Sequence, residues 1–201
     1  MMDVILSTEK TDLLECDVLA TVFFEDERPL KGSSGWIDWR LNGRISHFLI
    51  EKRLTGDWKE MTLIPSNGRV TSHMLLLVGL GKVRDYSYLR LREISPHLLE
   101  TLKNLNISSI CVSLPYEKGY NMDCGKSAEV LVEGVADYLD ASESKLSEDF
   151  VEGLMFYFSV EEEKFAEALL GVQTAQSILK DRLKIRIFTP SERKEGVRTS
   201  K

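Results

Sequence analysis

An α/β fold, specifically a three-layer α/β/α sandwich around a mixed, largely parallel sheet, is predicted by three observations. Residues 74–78 (MLLLV) form an unbroken apolar run that ends in Gly79-Leu80-Gly81-Lys82. That is the pattern of a strand buried on both faces and stopped by a tight turn. From this strand to residue 188 strand-like and helix-like segments alternate, which requires crossover connections and therefore parallel strands with helices on both faces. Two β-rich runs precede the first helix, which makes the sheet mixed.

Taken in order, 3–7 (DVILS) is a short strand, 8–16 a polar turn, and 17–24 (DVLATVFF) a second strand rich in β-formers. Charges and Pro29 end it. Gly32-Ser33-Ser34-Gly35 opens a helix with Ser34 as expected N-cap and Asp38 in the first turn. Ile37, Leu41, Ile45 and Phe48 recur at helical spacing along it, and Gly43 inside it suggests close packing against a neighbour. Residues 61–65 (MTLIP) are a brief strand, followed by a turn at 66–69 and the run at 74–78. Residues 86–106 read as a helix with Leu91, Ile94, Leu98, Leu102 and Leu105 on one face, kinked or restarted at Ser95-Pro96. Then come a buried strand at 109–114 and a helix at 126–139 with Leu131 and Val135 inward and Glu129, Glu133 and Asp137 outward. A charged linker at 141–149 leads to a strand at 153–159. Ser159 and Glu162 form a capping-box pattern for a long helix, and 184–188 (KIRIF) is the last strand.

A chain of 201 residues suits one domain, placed at 1–189, with a polar, disordered tail at 190–201. Apolar residues at 43% and charged residues at 29% are an ordinary globular balance. A net charge of -6 without a basic block argues against nucleic acid as a partner. Cys16, Cys111 and Cys124 are too few and too unevenly spaced for a disulfide framework, so reduced thiols in a cytoplasm are expected. No apolar stretch has the length of a signal peptide or of a membrane span, and no membrane partner is expected.

The segments DVLATVFFEDERPLKG and GWIDWRLNGRIS, and VGLGK at 78–82, occur in that order, with Leu89-Arg90 and Leu91-Arg92 following. Together they resemble the N-terminal domain of the leucyl aminopeptidase (cytosol aminopeptidase) family over most of residues 1–140. The resemblance implies a macro-domain-like fold. It also implies a role in oligomer assembly, since in the full enzymes this domain is non-catalytic and precedes a separate two-metal peptidase domain. The NTDAEGR signature of that second domain does not occur here, and the sequence after 140 leaves no room for it. The expectation is therefore a stand-alone, non-enzymatic domain without cofactor.

Two stretches are candidates for an anion-binding site. Gly79, Gly81 and Lys82 could cradle a phosphate on bare backbone beside one ammonium, although a tight strand-to-helix turn explains them more simply. Gly32, Ser33, Ser34 and Gly35 open a helix, and helix N-termini attract anions. Trp36 and Trp39, one turn apart, are read as core or oligomer-interface aromatics, or alternatively as a stacking wall for a base. Gly119 to Ser127 imitates a phosphate loop but has five residues, not four, between its glycines. The loop at 115–125 follows a strand on the presumed ligand edge and is expected to border a pocket. Cys124, before a helix, is expected to have a lowered pKa. His47, His73 and His97 show no ligand spacing, and neither a catalytic group nor a metal is expected. The expected partners are a second copy of the chain or another protein. The alternative is a small phosphorylated molecule of the ADP-ribose kind.

Overall fold

The computed structural model describes residues 1–113, 119–142 and 145–190. Its strands are β1 (Met2–Ser7), β2 (Val18–Phe23), β3 (Met61–Pro65), β4 (Met74–Gly79), β5 (Ser109–Ser113), β6 (Met155–Ser159) and β7 (Ile185–Phe188). Its helices are α1 (Gly32–Arg40), α2 (Arg44–Ile50), α3 (Tyr88–Asn104), α4 (Cys124–Ser142), α5 (Lys145–Glu152) and α6 (Phe165–Leu179). The strands form one sheet in the order β3-β4-β2-β5-β6-β1-β7. Every pairing is parallel except β3 with β4.

The sheet is mixed, but for a different reason from the one expected. β1 and β2 are parallel to each other and separated by β5 and β6; the one reversed strand is β3. β4 lies second from an edge, and the middle of the sheet is β5. β4 is nevertheless buried on both faces. Leu76 and Val78 enter the apolar layer under α3, α4 and α6, while Leu75 and Leu77 enter the layer under α1 and α2. Successive side chains of a strand point to opposite faces, so a run without alternation is what two helical layers demand.

The structure corrects several local expectations. The helix expected across 32–48 is two helices, with Gly43 between them at φ 76°. No atom lies within 4 Å of where a Cβ on Gly43 would be, so its role is the left-handed turn and not close packing. Asp38 stands near the end of α1. Its carboxylate accepts from Ile45 N–H at 2.7 Å, Ser46 N–H at 3.1 Å and the Ser46 hydroxyl, capping α2. Ser34 is not the N-cap of α1: Lys31 is, and the Ser34 hydroxyl donates back to Lys31 O at 2.8 Å.

α3 runs unbroken through Pro96, because buried Leu91, Ile94, Leu98, Leu99 and Leu102 fasten it on both sides of the proline. The region expected as a linker is helical, as the end of α4 and as α5, with Val151 buried. Ser159 closes β6 and donates to Glu9 O at 2.9 Å, so no capping box forms with Glu162. Glu129 and Glu133 are buried, since α4 is wedged between α3 and α6. Arg92 answers Glu133 through Nη1 at 2.6 Å and holds Asp137 bidentately through its Nε–Nη2 edge, keeping the Asp137 carboxyl below the ordinary range. Apart from Pro190, the tail expected from residue 190 lies outside the described residues.

Candidate functional site

Parallel strands place their carboxyl ends on one edge, and ligands of open α/β sheets gather there. At that edge β1, β5 and β6 end beside the start of α1. They leave a cleft of about 390 Å³ lined by Thr8, Glu9, Lys10, Thr11, Gly32, Ser33, Trp36, Ser113, Ser159, Val160 and Glu161. The segment after β1 supplies its floor: Thr11 Oγ1 lies 3.3 Å from Ser159 Oγ, and Glu9 N–H donates to Ser7 Oγ at 3.1 Å. Asp12 joins that segment to α1, accepting from Trp36 Nε1 at 3.1 Å and pairing with Arg40 Nε at 3.1 Å. Lys10 Nζ stands 5.2 Å from the centre of the Trp36 ring. Among the described lining residues the charges are the Lys10 ammonium and the carboxylates of Glu9 and Glu161, a balance that does not favour a polyanion.

The two glycine-bearing candidates part company here. Gly32, Ser33 and Trp36 line the cleft. Gly35 faces away from it: a Cβ there would lie 2.6 Å from Leu30 O, so this glycine lets α1 close on the chain before it. With Trp39, Asp38 and Gly43, Gly35 borders a second groove of about 410 Å³ on the other side of α1. Ser34 is buried and tied to Lys31. Trp36 and Trp39 stack with centroids 5.0 Å apart and planes at 25°, and they are 40% and 65% exposed. Each therefore lines a different groove, and the pair forms an exposed aromatic ridge along α1.

Gly79, Gly81 and Lys82 lie at the end of β4, apart from the cleft lining. The turn's backbone is already engaged: Gly79 N–H donates to Glu60 O at 2.8 Å, Leu80 N–H to Phe23 O at 2.9 Å, and Gly81 N–H to Gly56 O at 2.9 Å. A Cβ on Gly79 would sit 2.2 Å from Asp57 O, and Gly81 holds φ 73°. Lys82 Nζ lies 3.7 Å from Glu25 Oε1. The N–H groups of Gly79, Leu80 and Gly81 are thus already engaged by main-chain carbonyls.

Between the two candidates, Phe24, Tyr86 and Tyr120 meet edge-on or tilted at centroid distances of 5.0–5.9 Å. Tyr120 donates to Glu27 at 2.6 Å, and Lys31 pairs with the same carboxylate at 3.1 Å. Most of the connection from β5 to Gly119, where a pocket border was expected, lies outside the described residues.

Cys124 is a correction: burial, with Glu167 nearby, pushes its thiol up to about 12. Its N–H donates to Glu167 Oε1 at 2.8 Å, so the carboxylate serves the amino end of α4. Gly125 is also structural, since a Cβ on facing Gly171 would lie 1.9 Å from Gly125 O where α4 crosses α6. His47 does have a carboxylate partner one turn away, Glu51 at 3.1 Å, in an exposed pair. Among the described residues no group of three or more His, Cys, Asp or Glu could hold a metal ion, and no helix is long and apolar enough to cross a membrane.

Sequence reasoning missed the segment 8–11 and the ends of β5 and β6 as cleft walls, because strand order decides which loops meet. Their only local signal is the run of Thr and Ser at strand ends.

The fold is macrodomain-like. The fold matches an Oceanobacillus iheyensis macrodomain with MES bound at TM-score 0.63 and 12% identity, covering 89% of this chain and 92% of that one. A mutant of that macrodomain with ADPR matches at TM-score 0.63 and 12% identity, over 87% and 92% of the two chains. The chain belongs to the cytosol aminopeptidase family, whose N-terminal domain matches over residues 21–140. A "Probable cytosol aminopeptidase" of Sulfurihydrogenibium sp. is 25% identical over 134 residues, which is 67% of this chain and 26% of that protein. This chain thus spans about a quarter of the length of that relative, and the match is confined to the family's N-terminal domain.

Proposed function

We propose that this chain is a non-catalytic, cytoplasmic member of the family that works by association, binding a second copy of itself through the face of α1. The observation that carries this reading is the stacked Trp36–Trp39 ridge, 40% and 65% exposed, with a groove on either side. Large aromatics are concentrated in protein interfaces and scarce on free surfaces. A ridge beside a groove on one face is also what a two-fold contact uses, since each copy then offers both halves of the fit. The assembly role implied by the family resemblance points the same way. Light scattering tests it: the protein has a scattering mass above one chain at high micromolar concentration, and Trp39→Ala returns it to a single chain. A monomer at every concentration contradicts it.

The alternative is a small-molecule module, favoured by the position of the cleft at the strand ends with Trp36 as a wall. A macrodomain of the same fold is described with ADPR. The two readings separate at Trp39, which lies outside the cleft. A melting point raised by ADP-ribose, lost in Trp36→Ala and kept in Trp39→Ala, selects the ligand module. With Glu9 and Glu161 opposing Lys10, the expected result is no shift. The non-catalytic reading is checked with leucine anilides and added zinc or manganese, where no cleavage is expected.

A further inference from the structure

The whole chain holds 26 Lys and Arg against 32 Asp and Glu, yet residues 28–53 hold six against two. Of the two acids, Asp38 is buried and spent on capping α2. The other, Glu51, lies 3.1 Å from His47 and 3.7 Å from Arg53. Asp12 answers Arg40 and Glu27 answers Lys31, but among the described residues no ion pair answers Arg44 or Lys52. The surface of α2 and its end is therefore basic on an acidic chain. The way α2 ends gathers its cations. The chain leaves the helix through Lys52 at φ 57°, and Arg53 N–H returns to Phe48 O at 2.9 Å. This sets the Arg53 guanidinium 4.6 Å from the centre of the Phe48 ring. Arg44, one turn before Phe48, stands 5.4 Å from the same centre and donates to Pro65 O at 3.3 Å. Beside them Ile50 is 79% exposed.

We propose that this face of α2 docks an acidic segment of a partner protein, in which Asp or Glu side chains stand beside an aliphatic one. Charge complementarity sets the sign of the partner, since three cations face one carboxylate here. Guanidiniums held over an aromatic ring have lost much of their freedom before binding, and their N–H edges suit a carboxylate in two-point contact. Ile50 supplies the apolar contact that an acidic peptide with an aliphatic residue can cover. A nucleic acid fits less well. Its phosphates require many clustered cations, and the rest of this chain, more acidic than the whole, repels a long polyanion. The surface includes neither Trp36 nor Trp39, so it stands apart from the contact between copies proposed at α1.

The test is fluorescence anisotropy of a labelled peptide of alternating Glu and Leu, titrated with the full chain at low salt. The proposal expects saturable binding that weakens as salt is raised, and none by the matching peptide of Lys and Leu. Arg53→Glu and Lys52→Glu, both at exposed positions, should each weaken binding about tenfold or more. Ile50→Asp should weaken it as well. Arg84→Glu makes the same change of net charge on an exposed side chain elsewhere and should leave binding unaltered. Thermal melts of each variant establish that it is folded. No binding at low salt, an equal loss in Arg84→Glu, or binding unchanged in both Arg53→Glu and Lys52→Glu overturns the proposal. An RNA oligonucleotide that binds more tightly than the Glu-Leu peptide also overturns it, and makes this face a phosphate reader instead.

Discussion

The start of α1 and the end of β4 look alike in sequence, as GSSGW and VGLGK, yet the structure uses them oppositely. At α1 one glycine and one serine border an open cleft beside an exposed tryptophan pair. At β4 the backbone is bonded to Phe23, Gly56 and Glu60, and Gly79 is pressed against Asp57. Glycine permits both close approach and exposed backbone. Which of the two applies is decided by where the neighbouring N–H groups go, and that is a tertiary fact.

The difference between the two turns shows most clearly at Gly79. Valine there must displace the 56–57 backbone, since its Cβ would lie 2.2 Å from Asp57 O. Overpacking of this kind costs about 3 kcal/mol, lowering the melting point by roughly 6–12 °C in a chain of this size. Calorimetry showing an unchanged melting point would remove the close-approach account. Gly81→Val comes next. Its φ of 73° costs a residue with a Cβ about 1–2 kcal/mol, with a further penalty for β-branching. Neither change should affect association, because neither position touches the ridge.

A smaller effect is expected at the amino end of α4. The ammonium of Lys164, helped by the Cys124 N–H, holds the Glu167 carboxyl at about 2, against an ordinary 4.5. A carboxyl depressed in the folded state stabilises above its unfolded pKa, and the stabilisation is lost as pH falls through the folded value. Stability should therefore drop between about pH 4.5 and 2, and Glu167→Gln should flatten that slope; parallel acid melts of the two proteins would count against the contact. The smallest effect on stability is expected at Trp39. It is 65% exposed, so alanine should shift the melting point by under about 0.5 kcal/mol equivalent while altering association.

The fold class was legible because hydrophobic period and segment order are local properties. The runs at 18–23, 61–65, 74–79 and 109–113 became strands almost as read. Sheet order was not legible: nothing in DVILS says that it pairs with β6 and β7 rather than with β2. Asp38 illustrates the same limit at short range. It was read as helping the helix it sits in, whereas Gly43 turns the chain so that it caps the next one. Glu129 and Glu133 have the spacing of a solvated face, and only the wedging of α4 between two helices buries them. For the site, Gly32 and Ser33, read as an anion-binding helix start, and Trp36, read as an interface aromatic, line the cleft, while Thr11, Ser113 and Ser159 reach it through strand order alone.

On the proposed reading the α1 ridge is a contact between copies. The direct measurement is the light-scattering mass of the wild-type chain and of Trp39→Ala over a concentration series into the high micromolar range. The expected result is a wild-type mass at or above twice the 22.9 kDa of one chain, falling to one chain in the variant at equal melting point. A wild-type mass of one chain throughout, or an assembly that Trp39→Ala leaves intact, would contradict it.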